Sequence, residues 1–161
     1  MADNNGFTVD WTRLQVADWA TIAKEPGRID NQVRLLTLVV TACPWGDPAD
    51  EATYINDEMT VADFERFADE VVKRKPKAAD LSELARGGEL VVDWNRLSTA
   101  AMQRWQRQAA DVESQVAVLR KVVTACPWGD PADEDTYMML DLPTYEGLWE
   151  AAAAARRDKF R

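Results

Sequence analysis

The residues best equipped for chemistry stand in the segment "CPWGDPADE" at residues 43–51, and the same letters return at residues 126–134. Each copy sets three carboxylates, Asp47, Asp50 and Glu51 or Asp130, Asp133 and Glu134, behind a tryptophan, Trp45 or Trp128. Clustered carboxylates are the ligands of a hard cation such as calcium. The D-x-D-x-D-G spacing of a calcium loop is missing, however, and prolines occupy places where ligands would be wanted. Two other readings remain. In one, Trp45 folds back to close the end of the core, Gly46 supplies an unusual backbone angle, and the acids cap turns or face water. In the other, Trp45 and Trp128 are paired aromatic anchors for a partner, with the six carboxylates beside them, since tryptophan is enriched at binding hot spots.

Catalysis finds little to work with. The chain has no histidine, which removes the usual general base and the commonest metal ligand. Cys43 and Cys126 are one position seen twice, and neither has an activating neighbour in the sequence. They read as small buried hydrophobes, with a bridge between them the lesser reading in a reducing compartment. No glycine pattern would cradle a phosphate. A non-enzymatic protein that needs no cofactor and no metal is expected.

The repetition runs beyond the loop. "VDWTRL" at residues 9–14 returns as "VDWNRL" at residues 92–97, and Thr53 and Tyr54 return as Thr136 and Tyr137. An internal duplication of this length marks whole small units that share an apolar face. In the first copy Leu14, Trp19, Ile22 and Ala23 share one side of a helix through about Lys24, broken by "EPG". Ile29, Val33, Leu36, Val40 and Cys43 then hold a helical period up to Pro44, with Val112, Val116, Leu119, Val123 and Cys126 repeating it. A third helix starts at Thr60, three residues before Asp63 as in a capping box, and carries Val61, Phe64, Phe67, Ala68 and Val71. Its counterpart opens at Pro143 and Thr144 and runs through the alanines at 151–155.

These elements predict an all-α fold of two tandem three-helix units related by a pseudo-twofold. The first unit covers residues 1–72, the connector residues 73–88 with one short helix near 81–86, and the second unit residues 89–161. "GFTVDW" and "ELVVDW" leave room for one short strand before each unit, the two pairing with each other.

A chain of 161 residues, 47% of them hydrophobic, is outside the disordered range and builds one moderate core or two small ones. No apolar run reaches the roughly 20 residues of a membrane span, and the N-terminal letters lack the regions of a signal peptide. A cytoplasmic protein that does not enter membranes is expected. Of the net charge of -9, much is concentrated: between Arg34 and Arg66 there is no Lys or Arg, while Asp47, Asp50, Glu51, Asp57, Glu58, Asp63 and Glu65 all fall there. The second copy repeats this between Lys121 and Arg156. Such potential repels a phosphate backbone and argues against nucleic acid as partner. It suits a solvated surface, a basic protein partner, or imitation of DNA.

Each copy thus orders a "VDW-x-x-L" opening, a short helix such as "VADWATIAKE", an apolar helix, and an acidic "DPAD" stretch before "TVADFERFADEV". In this order the chain resembles the small acidic helical tail assembly chaperones of tailed bacteriophages, over most of both copies. The resemblance implies a non-enzymatic protein that holds tape measure or tail tube subunits soluble before assembly. An acidic DNA-mimic inhibitor and a structural or self-associating duplicated module are the alternatives. The sequence carries no signal of oligomeric state.

Overall fold

The computed structural model describes residues 6–108 and 111–159. They form mostly α-helix with two small two-stranded antiparallel sheets. Two compact units result: Met1–Leu14 with Thr21–Lys77, and Gln15–Ala20 with Ala78–Arg161. Among the described residues no helix is long and apolar enough to cross a membrane.

In the first unit β1 (Thr8–Val9) leads into a tight turn at Trp11–Arg13, which Asp10 caps by accepting from the Thr12 N–H at 3.0 Å. After α1 (Val16–Lys24) comes α2 (Ile29–Val39), which buries Val33, Leu35, Leu36 and Val39. The chain then turns extended as β2 (Val40–Ala42) and pairs with β1. The predicted helix through Cys43 is therefore shortened. The turn it loses opens with the β-branched pair Val40 and Thr41, whose side chains are stiff in a helix and pack well on a pleat. Just after β1, the Asp10 N–H donates to the carbonyl of Val39, the last residue of α2, at 2.7 Å. α3 (Val61–Lys73) begins where predicted, since the Thr60 hydroxyl accepts from the Asp63 N–H at 3.1 Å, and it buries Phe64, Phe67 and Val71.

The second unit repeats this order. β3 (Val91–Val92) and the turn at Trp94–Arg96 precede α5 (Thr99–Arg107), capped by Ser98, and α6 (Val112–Val122), capped by Asp111. β4 (Val123–Ala125) then pairs with β3 in the register of the first sheet, Val91 opposite Ala125 as Thr8 is opposite Ala42. Two expectations are corrected here. The chain is mostly helical rather than all-α, and each predicted strand pairs inside its own copy, because the partner strand at the end of α2 or α6 is not visible to helical periodicity.

The second unit also holds α4 (Ser82–Arg86), α7 (Glu134–Met138) and α8 (Leu142–Lys159), so it is not a simple three-helix unit. Tyr145, Leu148 and Ala152 of α8 repeat the buried spacing of Phe64, Phe67 and Val71. On α8 the chain just before α4 lies close, with the Ala79 N–H donating to the Pro143 carbonyl at 3.0 Å. A Cβ on Gly147 would overlap the Ala79 carbonyl oxygen and stand 3.0 Å from its carbon, so only glycine permits this approach. Gln15–Ala20 belongs to the same unit, where the Val16 N–H donates to the Leu140 carbonyl at 2.9 Å.

Candidate partner-binding site

The repeated loop is a clamp built from its own letters. In the first copy the Thr53 hydroxyl donates to the Asp47 carbonyl at 2.6 Å and the Tyr54 hydroxyl to the Pro48 carbonyl at 2.9 Å. In the second, Thr136 reaches the Asp130 carbonyl at 2.7 Å and Tyr137 the Pro131 carbonyl at 2.6 Å. The returning "TY" pair is thus the lock of the returning "DP". Cys43 and Cys126 each donate weakly to the carbonyl of the glycine three residues on, Gly46 or Gly129, at 3.4 Å. Those glycines have φ values of +147° and +149°, a conformation that costs other residues strain. Both thiols remain unbridged and half-buried.

The carboxylates hold the loop's turns. Asp47 accepts from the Ala49 N–H and Asp50 from the Ala52 N–H, each at 3.0 Å. Asp130 and Asp133 accept in the same way from Ala132 and Asp135 at 2.9 and 3.0 Å. Glu51 and Glu134 open the short helical turns that follow, where a negative charge suits the N-terminal dipole. All six acids are exposed. Among the described residues no group of three or more His, Cys, Asp or Glu is placed to hold a metal ion.

The tryptophans part company. Trp45 meets Phe67 edge to face with ring centroids 4.6 Å apart, yet stays 44% exposed. Phe67 is a hub: Phe7 abuts it at 4.9 Å, Tyr54 stacks at 6.2 Å, and the Arg74 guanidinium caps Phe7 at 3.7 Å from the ring centre. The second unit keeps the tyrosine, as Tyr137, but lacks the two phenylalanines, with Leu90 where Phe7 stood and Leu148 in the buried place of Phe67, and Trp128 is half-buried. Tyr54, Tyr137 and Tyr145 have hydroxyl pKa values pushed well up, in each case chiefly by burial. The Cys43 thiol adds to this at Tyr54, Cys126 at Tyr137 and Glu113 at Tyr145.

Comparison with protein families, characterised proteins and solved structures finds no match. The geometry must therefore be read by itself. It brings each loop's acids and tryptophan together within their own unit and adds residues that sequence reasoning missed. Ile55, Val61 and Val72 are 43%, 59% and 52% exposed. The apolar stripe of α3 includes Val61 in sequence, but Val61 is the first residue of that helix and the buried positions begin at Phe64. Val72 follows the buried Val71 and so faces another side of the helix. An unbroken apolar pair at the end of an amphipathic stripe was the available signal.

Proposed function

We propose that the chain is a non-enzymatic protein-binding module of the tail assembly chaperone kind, holding phage tail proteins soluble before assembly. One observation carries the reading: Trp45, Ile55, Val61 and Val72, large apolar side chains left in solvent, lie in and just after the run of acids that lacks any Lys or Arg. Exposed apolar groups suit a client's apolar segments, while surrounding like charge keeps the carrier itself soluble. On this reading each copy is built on three helices, α1 to α3 in the first and α5, α6 and α8 in the second, with α4 and α7 as additions. The repeated loop is the frame that holds Trp45 and Trp128 in place.

The test is co-expression with tape measure or tail tube subunits of the phage whose genome carries the gene. The soluble fraction of the client should rise with the chain present and fall back with the Val61→Asp/Val72→Asp variant. An unchanged soluble fraction for every tail subunit rejects the reading.

A further inference from the structure

Within the second unit α5 and α6 enclose a groove of about 120 Å³ whose apolar walls come from Leu97, Ala101, Trp105 and Val118, with Arg104 and Lys121 at its edge. Trp105 is held there by Trp149, their ring centroids 5.8 Å apart. Among the described residues neither Arg104 nor Lys121 has a carboxylate partner. Two unpaired cations over an apolar floor are unusual in a chain of net charge -9. They are also peculiar to one copy, since Thr21 and Leu38 stand at the equivalent positions of the first.

The ligand chemistry follows from this lining. The volume is below the roughly 150 Å³ of a cavity that takes a benzene ring, so the groove fits an aliphatic side chain and not an indole. Carboxylates next to that side chain would meet the two cations. The chain itself carries such a segment. Ile55 is exposed, and Asp57 and Glu58 follow it, both exposed and neither carboxylate with a partner among the described residues, the Glu58 backbone N–H alone donating to Asn56 Oδ1 at 3.0 Å. The second copy has "MMLD" where the first has "INDE", so the feature is again confined to one copy. The two halves of the duplication differ in complementary ways.

We propose that the α5–α6 groove binds Ile55 of a second copy of this chain, with Asp57 and Glu58 paired to Arg104 and Lys121. The interface is heterologous, donor segment to acceptor groove, so a bound pair still offers one free donor, on one copy, and one free groove, on the other. Association then continues past the dimer unless the geometry closes a ring. The proposal does not depend on the chaperone reading.

Sedimentation velocity across a concentration series tests it. In about 0.1 M salt the average mass should climb with concentration, and in about 1 M salt, where the screening length falls from about 10 Å to about 3 Å, it should return toward a single chain. Ile55→Ser and Arg104→Glu/Lys121→Glu should each weaken association at least about tenfold, the effect of about 1.4 kcal/mol. Both alter exposed or groove-edge side chains, and unchanged helical circular dichroism verifies the fold. A mixture of the two variants should form a dimer that grows no further, because one supplies only a groove and the other only a donor. Single chains at every concentration in low salt overturn the proposal. So does association that the groove variant leaves intact, or an Ile55→Ser chain that assembles like the unaltered protein.

Discussion

Replacing Trp45 by alanine separates a ring that frames the loop from one buried in a core. Phe67 is 3% exposed and touches three rings, so Phe67→Ala should cost about 3 to 5 kcal/mol, as deletion of a large core aromatic does. Trp45 is 44% exposed, which leaves a little over half its surface covered. A tryptophan buries roughly 150 to 250 Å², so about half of that at about 25 cal/mol per Å² is worth roughly 2 to 3 kcal/mol from burial alone. Trp45→Ala should therefore fall below Phe67→Ala in cost and still be plainly measurable. Urea unfolding followed by circular dichroism reads both as shifts of midpoint at constant slope. Two results would refute the reasoning: a Trp45→Ala midpoint equal to that of the unaltered protein, or one shifted as far as that of Phe67→Ala.

Other outcomes follow from the same contacts. The Trp94 indole N–H donates to the Ala152 carbonyl at 2.8 Å, whereas the buried Trp11 indole N–H has no partner. Trp94→Phe should thus lose about 1 kcal/mol more than Trp11→Phe in paired denaturation curves. Gly147→Ala drives a Cβ into the Ala79 carbonyl and should destabilise by about 1 to 3 kcal/mol, while Gly27→Ala, with open space around it, should stay within about 0.5 kcal/mol. All three tyrosines have raised pKa values in the folded chain, so stability is intact below the unfolded value near pH 10 and drains away as pH rises beyond it. Absorbance at the phenolate band should accordingly appear together with loss of helical signal, and phenolate forming near pH 10 in a folded chain would contradict the burial.

Much of this architecture was legible because periodicity is local. The Thr60 cap, the break after Lys24 and the burial of Leu36 and Leu119 follow from neighbours within a few residues. The end of α2 was not legible, since Val40 and Thr41 become strand only because residues 8–9, far off in sequence, offer a backbone ladder. The alanine run of α8 was read as helix propensity alone. Its small side chains and Gly147 also let residues 78–79 lie against that helix, a fact that depends on contacts no window reveals. In the loop, the letters pointed to the right residues, but their chemistry turned on geometry. Asp47 and Asp50 each commit an oxygen to a turn, and the exposure of Trp45 reflects a rim position on Phe67.

The central claim is that this protein works by binding client protein through exposed apolar side chains rather than through its carboxylates. Titration of a purified tail subunit, measured in about 0.1 M and about 1 M salt, tests it most directly, because only charge-driven contacts weaken steeply as the screening length shrinks. The account predicts an affinity that changes little with salt, is unmoved by added duplex DNA, and is lost in the Val61→Asp/Val72→Asp variant. Affinity that collapses in high salt, with DNA competing for the bound protein, would contradict it and mark the chain as a DNA mimic instead.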